Sequence, residues 1–81
     1  MNVQPLATAI KCLRLLDLIS ESSEPVRISD LGRKFGESRS TTYQRLLTLT
    51  TAGWLERMPD GSYRLSTRAV RIGAAALQQA G

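Results

Sequence analysis

The 81-residue sequence contains no histidine and only one cysteine, Cys12. A lone thiol cannot form an internal disulfide, and metal sites of the usual cysteine and histidine types lack their ligands. The absence of histidine also removes nucleophilic systems of the Ser-His-Asp and Cys-His types. We therefore expect no metal, no cofactor and no enzymatic activity, and we interpret Cys12 as a small core residue on a helix.

Long hydrophobic runs are also missing, since no stretch approaches the roughly 18 apolar residues of a membrane span. The apolar amino-terminal segment is interrupted by Lys11, Arg14 and Asp17, and no small-residue cleavage site follows it, so it does not resemble a secretion signal. Hydrophobic residues make up 42% of the chain, which is ordinary for a globular domain. We expect one soluble, cytoplasmic domain without membrane contact.

Acidic residues are absent between Ser38 and Leu55, and the charge is distributed unevenly. Residues 1–32 contain three basic and four acidic side chains, whereas residues 33–81 contain eight basic and three acidic ones. The net charge of +4 therefore arises in the second half of the chain. An ordinary solvated basic face is one explanation, and an anionic partner is the other.

The first helix is predicted over Leu6 to Ser20. Its apolar stripe recurs at helical spacing and comprises Ala9, Cys12, Leu13, Leu16 and Ile19. Leu15 and Leu18 fall outside that stripe, so they either cap a small core or meet a second chain. A polar segment ending in Pro25 stops the helix, and the alternating residues 26–28 are compatible with a very short strand.

Two short helices around a tight turn are predicted between about residues 28 and 47. The first of the pair spans Asp30 to Phe35, with Ser29 as its N-cap and Gly36 as its left-handed end. Gly32 costs this helix about 1 kcal/mol relative to alanine, which makes sense if another helix crosses closely. The second of the pair is capped by Ser38 and runs to about Ala52.

A β-hairpin is predicted over residues 54–65, because Pro59, Asp60 and Gly61 match a tight turn between two short strands. A last helix begins after Ser66 or Thr67. The predicted fold is mainly α with a small β-hairpin: a winged helix-turn-helix with a three-helix core, a wing and a C-terminal linker helix. Residues 1–66 form the domain and residues 67–81 the linker.

This order of elements predicts binding to double-stranded DNA. A major groove about 12 Å wide admits one helix, and the first turns of that helix reach the base edges. Small hydroxyl side chains suit phosphate oxygens, and we assign this role to Ser38, Ser40 and Thr41. Longer side chains with donors reach bases, and we assign this role to Arg39, Tyr43 and Gln44.

Further candidate DNA contacts come from the hairpin and from the edge of the third helix. Arg57, Ser62 and Arg64 are placed to hold a neighbouring phosphate or to enter the minor groove. For both of these arginines the alternative is an ordinary exposed hairpin face. Arg45 is the last candidate, although it lies beside the buried stripe and would alternatively pair with the second helix or snorkel along the surface.

Three segments carry a family resemblance: CLRLLDLI, PVRISDLGRKFGESRSTTYQRLLTLTTAGWLER and DGSYRLSTRAVRIG. Together, over about residues 6–73, they resemble the amino-terminal domain of IclR-type bacterial transcription regulators. Departures from the family pattern are Gly32 for alanine, Gln44 for arginine or lysine, and Arg45 for a frequent leucine. The resemblance implies a homodimeric or tetrameric regulator that binds a short palindromic operator, with a separate carboxy-terminal domain that senses a small molecule.

Two functional hypotheses follow. The first is sequence-specific DNA binding by a regulator that represses or activates a metabolic operon and dimerises through its first and last helices, with this chain as an excised domain or a fragment. The alternative is a winged helix that binds another protein instead of DNA. That alternative predicts an apolar patch on the exposed face of the third helix, where only Tyr43 and Leu47 are suitable.

Overall fold

The computed structural model describes residues 2–81, which form four helices and one two-stranded antiparallel sheet. The elements are α1 (Ala7–Ser20), α2 (Ile28–Phe35), α3 (Arg39–Thr51), β1 (Leu55–Arg57), β2 (Tyr63–Leu65) and α4 (Thr67–Ala80). In the hairpin made by β1 and β2, Leu55 pairs with Leu65 and Arg57 pairs with Tyr63. The predicted winged helix-turn-helix is confirmed.

A small core joins the first three helices to the hairpin. Its fully buried hydrophobic residues are Leu15, Ile19, Leu31, Leu46, Leu49, Leu55 and Tyr63. The central element is α3, which contacts α1, α2 and β1. Thr42 is buried on the same face of α3, and its hydroxyl donates to the Ser38 carbonyl at 2.8 Å, so its polar atom is satisfied. Packing of this face leaves the opposite face of α3 exposed.

The hairpin is also fastened to the segment before α2. The N–H of Val26 donates to the carbonyl of Tyr63, and the N–H of Tyr63 donates back to the carbonyl of Val26, both at 2.8 Å. The short strand considered for residues 26–28 is reduced to this single bridge, because Ile28 already begins α2. The bridge holds the hairpin beside the helix-turn-helix.

The buried face of α1 differs from the predicted one. Leu15 is fully buried and Leu18 packs against the core, whereas Leu13 is 53% exposed. The prediction that Leu13 belongs to the core stripe was therefore wrong, and of the two alternatives for Leu15 and Leu18, contact with the core is the correct one. The reason is that α1 packs against α2, α3 and β2 together, so its covered face is broader and is rotated from the simple stripe. Cys12 packs partly against the core.

The start of α2 was also predicted wrongly. The helix begins at Ile28, and its N-cap is Arg27 rather than Ser29, with no side-chain capping bond. Gly36 ends it in the left-handed conformation, as predicted, with φ +73°. A Cβ placed on Gly32 would lie 3.6 Å from the Glu37 carbonyl oxygen, an ordinary van der Waals distance. No neighbour therefore crosses closely enough to require glycine at this position.

The last helix, α4, extends away from the core. Ser66 caps it by accepting a hydrogen bond from the N–H of Arg68, and none of its residues is buried. Its exposed apolar side chains are Val70, Ile72 and Leu77. Among residues 2–81 there is no helix with both the length and the apolar character needed to cross a membrane.

Candidate nucleic-acid interface

A cleft of about 660 Å³ lies between the amino-terminal end of α3 and the tip of the hairpin. Three arginines line it: Arg39 of α3, Arg57 of β1 and Arg27, the residue immediately before α2. Ser40 and Tyr43 of α3 line the same cleft. Guanidinium groups in this number favour an anionic partner, because each offers several planar donors to phosphate oxygens or to guanine.

The position of Arg39 and Tyr43 follows from the start of α3. The Ser38 hydroxyl accepts a hydrogen bond from the N–H of Thr41 at 3.2 Å, so the predicted N-cap is confirmed. Arg39 is then the first helical residue, and Tyr43 follows one turn later on the same side. Tyr43 is 47% exposed. From the first two turns of α3, Arg39, Ser40 and Tyr43 are therefore the side chains at the mouth of the cleft.

The hairpin side of the cleft is organised by Asp60. Its carboxylate accepts hydrogen bonds from the N–H of Ser62 at 2.9 Å and from the Ser62 hydroxyl at 2.6 Å. Arg27 donates to the Asp60 carbonyl oxygen at 3.1 Å and to its carboxylate at 3.3 Å. The hydrogen bonds from Ser62, with a smaller contribution from the charge of Arg27, hold the pKa of Asp60 below its ordinary value.

This arrangement changes the role of two residues. Ser62 is only 4% exposed, and its hydroxyl donates to Asp60, so the structure gives it a part in the turn in place of the predicted DNA contact. Arg27 was not among the predicted site residues, although it lines the cleft. The signal that could have found it is the alternation of residues 26–28, which directs Arg27 outward on a segment beside the hairpin.

Arg45 lies outside the cleft and is largely buried. Its Nε donates to Glu37 Oε1 at 2.7 Å, and its Nη2 donates to Oε2 at 2.8 Å. The hydrogen bond from Arg45 is the main cause that lowers the pKa of Glu37, with smaller contributions from the charges of Arg45 and Lys11. The DNA contact by Arg45 stays a prediction. The pairing alternative is correct, with a partner in the turn rather than on α2.

The remaining predicted residues fall in three places. Thr41 is half-buried and takes part in the cap, where the Ser38 hydroxyl donates to its oxygen at 3.0 Å. Gln44 is exposed but borders a separate groove with Thr8 and Thr48. Arg64 donates to Glu56 at 2.9 and 3.1 Å and lies outside the cleft. The cleft therefore gathers Arg39, Ser40, Tyr43 and Arg57 from the predicted set.

Comparison with known proteins gives a consistent result. Residues 8–59 match the IclR helix-turn-helix domain family. The chain is 34% identical over 64 residues to the HTH-type transcriptional regulator XynR of Escherichia coli K12, an alignment that covers 78% of this chain and 25% of XynR. It therefore spans about a quarter of the length of this curated relative.

Solved structures are similar in fold. Thermotoga maritima IclR aligns with a TM-score of 0.77 at 27% identity, over 88% of this chain and 29% of that protein. Pseudomonas aeruginosa HmgR aligns with a TM-score of 0.81 at 26% identity, over 90% of this chain and 30% of that protein. In both alignments the similarity extends over nearly the whole of residues 2–81.

Proposed function

Because the chain belongs to the family of IclR helix-turn-helix domains, we propose that it binds a specific duplex DNA sequence, with α3 in the major groove and the hairpin against the adjacent backbone or minor groove. The observation that carries this proposal is the cleft in which Arg27, Arg39 and Arg57 converge on the exposed start of α3. Family membership favours DNA over the protein-binding alternative, and the exposed face of α3 has only Tyr43 and Leu47 as large apolar side chains.

The residues of the cleft divide into two roles in this proposal. Arg39 and Tyr43 project from the first turns of α3 and read base edges, for which arginine prefers guanine. Ser40 and the free amides at the start of α3 hold a phosphate, and Arg57 and Arg27 hold the backbone next to it. Each phosphate contact releases counterions, so binding should weaken steeply as salt is added.

Three predicted residues outside the cleft keep a place in the proposal. Gln44 lies on the exposed face of α3 and is suited to a base further along the groove, with adenine as its preferred partner. Ser38 and Thr41 hold the start of the helix in place through their mutual hydrogen bonds, and in this proposal the Thr41 hydroxyl, whose hydrogen the cap does not use, donates to a phosphate. We propose no DNA contact for Arg45 and Ser62, nor for Arg64, which pairs with Glu56 outside the cleft.

We also propose that the chain acts as a dimer on a palindromic operator. The candidate partner surface comprises the exposed apolar residues Leu13 of α1 and Val70 and Leu77 of α4. A two-fold dimer would place two recognition helices about 34 Å apart, one helical turn of DNA. Sedimentation at increasing concentration should show a monomer–dimer equilibrium that Leu13→Ser or Leu77→Ser weakens, and monomer alone at every concentration would contradict dimerisation by this chain.

In a longer regulator, residues 1–66 would form the DNA-binding domain and α4 the linker to a domain that senses a small molecule. The lengths of XynR and of the two structural neighbours, each about three times that of this chain, support that division. The regulator would repress or activate a metabolic operon in the cytoplasm.

Selection of bound oligonucleotides from a random duplex pool, followed by fluorescence titration of the recovered sequence, tests DNA binding. We expect tighter binding to the recovered sequence than to a scrambled one, with a steep dependence on salt. The double variant Arg39→Ala/Gln44→Ala should lose most of this affinity while retaining its circular dichroism spectrum. Arg71→Ala/Gln78→Ala on α4 is the matched control and should bind like the wild type. Equal, weak binding to every duplex would overturn the proposal.

A further inference from the structure

One carboxylate joins three parts of the helix-turn-helix. Glu37 lies in the turn between α2 and α3, and both of its oxygens accept hydrogen bonds from Arg45, two turns along α3. Lys11 Nζ on α1 lies 3.9 Å from Oε2 of the same carboxylate. The bidentate geometry with Arg45 fixes the orientation of both side chains as well as their distance. Glu37 therefore connects the turn to α1 and to α3.

Burial distinguishes this pair from the other arginine–carboxylate pairs of the described residues. The side chains of Arg45 and Glu37 are 12% and 18% exposed, whereas Arg27–Asp60, Arg33–Asp30 and Arg64–Glu56 are each about half exposed or more. Exposed pairs contribute little to stability because water and salt screen them. Arg45 and Glu37 are shielded from water over most of their side-chain surface, so removal of one partner leaves the other with less hydration to compensate than at the exposed pairs.

We propose that Glu37 and Arg45 are positioning residues for DNA binding: they fix the orientation of α3, and so place Arg39 and Tyr43 opposite Arg57 across the cleft, without contacting DNA. This inference rests on the proposed DNA-binding function. Glu37 accepts from the Nε and Nη2 edge of the Arg45 guanidinium, and Arg45 does not line the cleft.

The direction in which a single substitution changes DNA affinity distinguishes a positioning role from an effect of net charge alone. Glu37→Leu makes the domain more positive, so charge alone predicts tighter DNA binding, while Arg45→Met predicts weaker binding. Positioning predicts weaker binding for both variants. Glu37→Leu leaves Arg45 without its carboxylate, and Arg45→Met leaves Glu37 with only the longer contact to the half-exposed Lys11. Positioning also predicts that the double variant recovers, because a largely buried ion pair can be replaced by apolar side chains of similar volume at little cost.

The experiment is a double-mutant cycle on the complete 81-residue chain. Glu37→Leu, Arg45→Met and the double variant are titrated with the selected duplex of about 30 base pairs, long enough for two half-sites. We expect each single variant to bind about tenfold more weakly and the double variant to bind within about threefold of the wild type. The salt slope, which is the slope of log affinity against log salt concentration, should be the same for the double variant and the wild type. A lost phosphate contact would reduce its magnitude by about one.

A matched control is available in the hairpin. Glu56 and Arg64 form the same kind of pair on its exposed surface, so Glu56→Leu, Arg64→Met and their double variant repeat the same chemistry in water. We expect no recovery in that cycle, because an exposed pair has little coupling. If Arg45→Met does not fold, Arg45→Lys replaces it, since lysine keeps the charge but loses the bidentate geometry. Positioning then predicts weaker binding, and a phosphate contact predicts nearly unchanged binding.

Urea unfolding of the same variants without DNA gives an independent readout. Positioning predicts that each single variant lowers the urea midpoint and that the double variant recovers it. Tighter DNA binding by Glu37→Leu, additive effects in the cycle, or a reduced salt slope in the double variant would overturn the inference while leaving the proposed function intact. Failure of the wild type to prefer any duplex would instead overturn the proposed function, and with it this inference.

Discussion

Substitution of Gly32 by alanine should stabilise the domain. Gly32 lies inside α2 and does not adopt a positive φ, so its backbone conformation is open to any residue. Glycine in the interior of a helix is less favourable than alanine by about 1 kcal/mol, because glycine loses more conformational entropy on folding. The expected gain is therefore about 1 kcal/mol, provided that the added methyl group fits.

The distances around Gly32 indicate that the methyl group fits. The new Cβ would lie 3.6 Å from the Glu37 carbonyl oxygen and 3.7 Å from the Thr42 hydroxyl oxygen, both ordinary van der Waals contacts. No movement of the turn or of α3 is needed. For a domain of this size, a gain of about 1 kcal/mol corresponds to a rise in Tm of roughly 4–8 °C.

Gly36→Ala is the matched control, four residues further along. No atom lies within 4 Å of the Cβ position, but the backbone has φ +73°, which an L side chain rarely adopts. We expect a loss of about 1 kcal/mol or more from this strain. Thermal unfolding followed by circular dichroism compares the two variants. A lower Tm for Gly32→Ala would refute the reasoning, because it would mean that α2 and the turn approach more closely than these distances indicate.

Three further predictions concern the hairpin, the turn and the core. Arg57→Ala should weaken DNA binding and reduce the salt slope by about 1 in a fluorescence titration. Arg64→Ala is the control: Arg64 lies outside the cleft, so its slope should equal that of the wild type. Equal slopes for the two variants would count against the cleft as the binding site. The stability that Glu37 contributes should be complete above the pKa of the unfolded chain and lost as the pH falls through its lowered folded-state pKa. Urea midpoints measured from neutral to acid pH should therefore fall less steeply for Glu37→Gln, and parallel curves would contradict this. Leu46→Ala should cost about 2–5 kcal/mol in urea unfolding because Leu46 is fully buried, and a loss below about 1 kcal/mol would mean that the core is not packed around it.

The elements of the fold could be predicted because their signals are local. Ser38 caps α3 and Gly36 ends α2 as predicted, since caps depend on residues a few positions apart in the chain. Which face of α1 is buried could not be predicted, because four of the five residues from Leu15 to Ile19 are apolar and either side of the helix could pack against the core. The choice of Leu15 depends on the combined contacts of α1 with α2, α3 and β2.

The candidate site was predicted in part for the same reason. Helical periodicity brings Arg39 and Tyr43 to one side of α3, so this part of the cleft follows from spacing alone. The contribution of Arg27 depends on its ion pair with Asp60, which lies 33 residues away in the chain. The alternation of residues 26–28 indicates only that Arg27 points outward, whereas a pairing at that separation is a property of the packed fold.

The pairing of charges explains why the basic second half of the chain was an incomplete guide to the site. Each of the three acidic residues in that half forms an ion pair with an arginine: Glu37 with Arg45, Glu56 with Arg64 and Asp60 with Arg27. Among the ion pairs within residues 2–81, neither Arg39 nor Arg57 takes part. These two cations face the same cleft, and neither pairs with a carboxylate, because Asp60 of the cleft pairs with Arg27. Because an anion gains most from a guanidinium whose donors are free, Arg39 and Arg57 should dominate the electrostatic part of DNA binding.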